Sequence, residues 1–167
     1  VADLSGGFDA WLDAQRDLHP KHFKKMRRLS RQAEKDFGAA EVRFGAPGAG
    51  EMETLTAWKR SQFVRTGRHD ILRAAWTRAL LKWCAGSQTD DFSGVMASLW
   101  LGGKLAAAEF GLRSGDVLHG WFAGYDPAFA SCSPGLILQE RLLEEAARAG
   151  VRHAVLDGAR GAALAAL

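Results

Sequence analysis

The stretch from Val95 to Leu156 constrains the fold of this chain more than any other. Val95 to Leu101 alternates, Gly102-Gly103 suits a two-residue hairpin turn, and Lys104 to Arg113 reads as the partner strand. Ser114-Gly115 marks a second tight turn, and Asp116 to Ala123 a third strand. A loop then ends in Ser133-Pro134-Gly135, and an amphipathic helix over 135–149 stops at Gly150. Val151 to Leu156 follows as a final strand. Strands joined by two-residue turns are antiparallel neighbours, whereas a strand reached through a helical crossover runs parallel to its predecessor. The expected fold is therefore α/β, with a mixed central sheet built on an antiparallel meander and flanked by helices.

The upstream half is helical. Residues 5–17 suit a short amphipathic helix with Phe8, Trp11 and Leu12 on one side. Pro20 opens a longer one, in which Phe23, Met26, Leu29, Ala33 and Phe37 recur at helical spacing among lysines and arginines, and Gly38 ends it. Glu41 to Phe44 alternates as a short strand, and Gly45 to Gly50 is a loop. Residues 51–65 read as a helix with Met52, Leu55, Trp58 and Phe63 as apolar positions. A second helix is expected from Asp70, as N-cap, to Gly86, burying Leu72, Ala75, Trp76, Ala79, Leu80 and Trp83. Residues 159–167 are too alanine-rich to assign.

With 167 residues the chain has material for one domain with a sizeable core. The net charge of +3 permits an anionic ligand without demanding nucleic acid. The basic helix over 20–37 reads as a solvated face, because no exposed aromatics cluster in it for base stacking, and nucleic acid is not an expected partner. Cys84 and Cys132 have no metal-type spacing and read as reduced thiols of a cytoplasmic protein. His19 and His22 lack a third ligand, so no metal is expected. No apolar run approaches the roughly 20 residues of a membrane span. The chain starts at Val1 without methionine, which suggests a piece of a longer protein. On that reading, 1–38 is an N-terminal helical segment or connector and 39–167 the functional domain.

The order of elements is that of the GNAT acyltransferase fold, and local strings resemble one family within it. They are Trp58-Lys59-Arg60-Ser61-Gln62-Phe63, Arg65-Thr66-Gly67, Leu101 to Ala108, and Gly111-Leu112-Arg113-Ser114-Gly115. To these add Leu118-His119-Gly120-Trp121-Phe122, Tyr125-Asp126-Pro127 and Ser133-Pro134-Gly135. Together they resemble the bacterial GNAT-type acetyltransferase domain associated with cellulose biosynthesis, a relative of the Fem-type peptidyltransferases. The likeness spans roughly 20–156. It departs at the end: the family follows its last strand with Asp-Leu-Gly and a Tyr-Lys pair, whereas here Val155-Leu156-Asp157-Gly158 displaces the aspartate and no Tyr-Lys follows. The resemblance implies acetyl-CoA or another acyl-CoA as donor and an amine acceptor from envelope or exopolysaccharide assembly. It also implies a second GNAT-like half, or a homodimer. The alternatives are a Fem-like transferase using aminoacyl-tRNA and a non-catalytic interaction module.

Acyl transfer from a thioester needs a grip on the donor, a proton acceptor for the amine and a proton donor for the leaving thiolate. Ser133, Pro134, Gly135 and Leu136 stand at a helix N-terminus, where unpaired N–H groups suit a pyrophosphate, or where Ser133 is an ordinary N-cap. Tyr125, the only tyrosine, is placed by the resemblance near the thioester, as proton donor or as a loop residue packed on Pro127. His119 and Glu109 are comparable candidates for the base, each with a structural alternative. Trp121 shares a strand face with His119. The resemblance puts Trp58 and Lys59 beside the acceptor cleft, with Trp121 and Asp126 as further acceptor contacts, although Asp126 also suits the turn before Pro127. Cys132 lies near the helix start but lacks an identifiable base for covalent chemistry.

Overall fold

The computed structural model describes residues 1–156. Its centre is one six-stranded sheet in the order β1-β6-β5-β4-β3-β2. The strands are β1 (Ala2–Asp3), β2 (Ala40–Gly45), β3 (Ser93–Leu101), β4 (Lys104–Ser114), β5 (Val117–Tyr125) and β6 (His153–Leu156). All neighbours are antiparallel except β5 and β6, which run parallel from Val117 opposite His153 to Gly120 opposite Leu156. The meander and the parallel crossover are thus as the turns and the 135–149 helix implied. Strand β1 was not foreseen, because two residues carry no periodicity.

Two helical layers cover the sheet. On one face lie α1 (Phe8–Leu18), α2 (Pro20–Phe37) and α5 (Pro134–Arg148). Their apolar stripes, Trp11 and Leu12, then Phe23, Met26, Leu29 and Ala33, then Ile137, Leu138 and Leu142, join Val95, Ala97, Leu99 and Leu118 of the sheet in one buried cluster. Residues from 1–38 are therefore part of the core that the sheet builds. On the other face lie α3 (Ala49–Thr66) and α4 (Ala75–Gly86), over Met96, Ala108 and Phe110.

The α4 region departs from the expected stripe. Asp70 does cap, but what it caps is a single 3-10 turn, Ile71–Arg73, through a bond from the Leu72 N–H at 3.0 Å. The α-helix starts afresh at Ala75 after the extended Ala74. That break resets the helical phase, so Thr77, Leu81 and Cys84 are buried while Trp76, Leu80 and Trp83 are exposed. Of the expected buried set, only Leu72 is in the core.

Candidate active site

The geometry that matters turns on one extra residue. Along β4 and β5, Phe110 opposes Phe122 and Gly111 opposes Gly120, so Trp121 is a β-bulge. A bulge reverses the side-chain alternation beyond it. Before the bulge, Leu118 faces the α5 layer and His119 the α3 layer. After it, Phe122 and Gly124 face α3, and Ala123 and Tyr125 face α5. Without the bulge, Tyr125 and His119 would share a face. With it, Tyr125 lies on the face of Glu109, which pairs with Ala123 across the strands and with Ala97 on the other side. Glu109 and Tyr125 are diagonal neighbours, a relation that spaces residues by about 7 Å. Tyr125 is the last residue of β5 rather than a loop residue beyond it.

Glu109 is the most unusual group in the site. Its side chain is 4% exposed, and its Oε2 has no hydrogen-bond partner. A cavity of about 10 Å³ adjoins it, lined by Gly111, Leu118, Gly120, Leu142 and Leu156, close to the lower limit for one water molecule. Burial pushes the carboxyl up to about 7, against the opposing pull of the Lys59 ammonium. Gly120 is what makes room for it: a Cβ there would collide with Glu109 Oε1. His119, by contrast, is exposed on the α3 side, so the two candidate bases are not brought together.

Helix α3 borders β5 where the bulge has turned it. Leu55 and Trp58 pack directly over Gly124. Lys59 Nζ donates to the Ala123 carbonyl at 3.3 Å and lies over the Phe63 ring, so it joins α3 to the strand bearing Tyr125. Trp121 packs edge-on against Phe122 on the same side. Asp126 caps the 3-10 turn Pro127–Cys132 by accepting from the Ala128 N–H at 2.9 Å, the turn-forming role of the two that its sequence position allowed.

The start of α5 is narrower than a helix N-terminus in general. Ser133 sits in the left-handed region at φ 53° and makes no side-chain cap bond, so it is not an ordinary N-cap. Pro134 is buried and has no N–H, and the Leu136 and Ile137 N–H groups both turn back to the Ser133 carbonyl. Gly135 is left as the unclaimed donor of the first turn. A Cβ at Gly135 would meet nothing within 4 Å, so the flank of the helix is open at this residue. These residues fit one anionic oxygen on the Gly135 N–H, not the several donors of a glycine-rich loop. Cys132 is buried, donates from Sγ to the Phe129 carbonyl at 3.1 Å and has its thiol pushed up by burial, which suits packing and not nucleophilic attack.

Sequence reasoning missed a polar clamp on the α3 side. Ser98, wholly buried on β3, donates to Glu51 Oε1 at 2.6 Å and accepts from Trp100 Nε1 at 3.0 Å. Glu51 in turn accepts from the Gly48 N–H, and the Arg43 guanidinium lies 4.2 Å over the Trp100 ring. The clue was a lone serine in the apolar run Val95 to Leu101.

A meander that passes through a helical crossover into a parallel strand, with helices on both faces, is the architecture of a GNAT acyltransferase domain. The chain belongs to the acetyltransferase (GNAT) domain family, whose profile matches residues 20–162. Among solved structures it is similar to the ribosomal-protein-S18-alanine N-acetyltransferase from Escherichia coli, at 18% identity and TM-score 0.46 over 75% of this chain and 73% of that one. It is also similar to an aminoglycoside acetyltransferase from an uncultured soil metagenomic sample, at 18% identity and TM-score 0.47 over 77% and 88% of the two chains. No curated protein matches. Asp157 and the alanine-rich 159–167 lie outside the described residues.

Proposed function

We propose that the chain is an acyl-CoA-dependent N-acyltransferase in which an amine attacks the thioester directly. The observation that carries this reading is the buried Glu109 carboxyl, whose Oε2 has no partner, on the face of the sheet to which the Trp121 bulge brings Tyr125. A carboxyl pushed up to about 7 is partly ionised at neutral pH and basic enough to take a proton from the acceptor's ammonium before attack, or from the amine nitrogen as it bonds to the thioester carbon. Tyr125 stands at the open end of the same face and supplies the proton that the leaving thiolate takes up. The donor brings an already activated acyl group, so the chain has only to bind, orient and move protons. Gly135 N–H holds one phosphate oxygen of the donor, beside the open flank that the residue leaves on the helix. Lys59 fixes the Ala123 carbonyl and tunes Glu109 from the other side of the sheet.

His119 stands apart from this pair and is left out of the chemistry. Trp58, Trp121 and Lys59, on the α3 face, border the acceptor only where Trp58 packs over Gly124 at the end of β5, and the proton of its amine passes to the buried Glu109 on the α5 face through one water. Acetyl-CoA is the proposed donor, and the acceptor is an amine of envelope or exopolysaccharide assembly, as the family resemblance implies. A second GNAT-like half or a second copy would complete the acceptor cleft on that reading.

Calorimetric titration with acetyl-CoA, with free CoA and Gly135→Trp as controls, tests the proposal. Saturable binding that the variant loses supports a donor seat at the start of α5. A folded wild-type chain that binds neither acetyl-CoA nor CoA overturns it. Binding of aminoacyl-tRNA instead, falling steeply with salt, would replace the donor class.

A further inference from the structure

A second feature lies outside the proton-transfer site, and the inference from it does not rest on acyl transfer. Between Thr54 and Thr89 the chain carries Lys59, Arg60, Arg65, Arg68, Arg73, Arg78 and Lys82 against one acid, Asp70. Seven cations less one anion give +6, whereas the whole chain is +3, so all other residues together sum to −3. Three of the cations hold the structure. Arg60 pairs with Asp70 at 2.9 Å, Arg78 donates to the Leu72 and Arg73 carbonyls, and Lys59 to that of Ala123. Arg65, Arg68, Arg73 and Lys82 are exposed, and no ion pair is formed by them among the described residues.

The same stretch holds most of the large apolar side chains that face water. Trp76 is 71% exposed, Trp83 64% and Leu80 40%, and they form one stripe of α4 at i, i+4 and i+7. Val64 is 78% exposed at the end of α3, and Ile71 42% in the connecting 3-10 turn. Trp83 is braced by stacking on Phe92, ring centroids 5.9 Å apart. Two tryptophans and three aliphatic side chains interleaved with free cations are not what a single-stranded nucleic acid selects, since aliphatic groups give bases no stacking surface. They match the demands of a lipid headgroup layer, where indoles sit at the polar–apolar boundary, aliphatic groups reach the acyl chains and guanidinium groups meet phosphates. No described helix is long and apolar enough to cross a membrane, so such a contact would lie on the surface.

We propose that the α4 stripe and the adjoining end of α3 form a docking surface for an anionic lipid bilayer. Trp76, Leu80 and Trp83 enter the headgroup boundary, and Arg65, Arg68, Arg73 and Lys82 pair with lipid phosphates. The charge match decides the occupant: the stretch 54–89 carries +6 and the rest of the chain −3, and the four exposed cations Arg65, Arg68, Arg73 and Lys82 outnumber the exposed Asp90 and Asp91 beside Phe92, so the molecule turns this stretch toward a negative plane.

Co-sedimentation of the full chain with vesicles tests it. One set is equal parts phosphatidylglycerol and phosphatidylcholine, the other phosphatidylcholine alone. The expected result is binding to the anionic vesicles only, with a blue-shifted tryptophan emission. The double variant Trp76→Ser, Trp83→Ser is expected to bind about tenfold or more weakly, and each of Arg65→Gln, Arg68→Gln, Arg73→Gln and Lys82→Gln about fivefold more weakly. These positions are exposed, so circular dichroism and the thermal midpoint should match wild type. No binding to anionic vesicles overturns the proposal. So does equal binding by the tryptophan double variant, or tryptophan-dependent binding to a single-stranded oligonucleotide tighter than to vesicles.

Discussion

The two faces of the sheet use their polar groups in opposite ways. On the α3 face, the buried Ser98 is bonded twice, to Glu51 and by Trp100, and the carboxylate it meets has a second donor in the Gly48 N–H. On the α5 face, Glu109 is equally buried but its Oε2 has no partner, and the cavity beside it is lined almost wholly by apolar groups. A buried polar group that is satisfied contributes to stability; one left unsatisfied costs free energy unless a water or a ligand meets it. The contrast sets a structural clamp against the group proposed as the base, although both are single polar residues within apolar strands.

The largest expected effect comes from removing the unsatisfied group. Glu109→Gln should lower kcat by about a hundredfold or more, the usual contribution of a positioned base. Its stability should move the other way. In the folded state the carboxyl titrates at about 7, above its ordinary value of 4.5, so between those values the folded protein holds a proton that the unfolded chain has lost. Stability contributed by the protonated form is therefore full below about pH 4.5 and is lost as pH rises toward 7, a total of about 3 kcal/mol. Denaturation midpoints measured across that window should fall for wild type and stay flatter for Glu109→Gln. A variant as pH-dependent as wild type would move the titrating group elsewhere.

The next contrast sets the stripe of α2 against that of α4. Leu29→Ala, in the buried cluster, should cost about 2–5 kcal/mol in urea denaturation, whereas Leu80→Ala on α4 should stay within about 0.5 kcal/mol. Ser98→Ala comes after these, at about 1–3 kcal/mol, because it strands both the Glu51 carboxylate and the Trp100 indole N–H. The smallest effect is assigned to His119→Ala. Steady-state rates should stay within about twofold of wild type, far below the hundredfold expected of a base; a hundredfold loss would shift the chemistry to the α3 face.

Much of this fold was legible. Gly102-Gly103 and Ser114-Gly115 fixed the meander by turn chemistry alone, and Pro20 and Gly38 bracketed α2 at the right residues. What stayed hidden were single-residue shifts of phase. Ala74, in extended backbone, restarts the helix and turns Trp76 and Trp83 outward, yet nothing in the apolar spacing of 70–86 marks it as a break. Trp121 does the same to β5. Its bulge decides that Tyr125 joins Glu109 and not His119, and bulges follow from tertiary pairing, which one strand's sequence does not contain. Glu109 was recognisable as a carboxylate among alanines, but its lack of a partner depends on what β5 and α5 place around it. At the start of α5 the Ser-Pro-Gly string was read for its position, while the number of free N–H groups depended on the left-handed Ser133.

Strand β1 pairs with β6 across a long separation in sequence. Ala2 pairs with Ala154, and the Leu4 N–H donates to the Arg152 carbonyl at 2.7 Å. During synthesis β1 has no partner until β6 has been made, at translation rates of about 5–20 residues per second. This edge of the sheet therefore closes only after more than a hundred further residues have been made, and the pairing that closes it is among the most non-local in the fold.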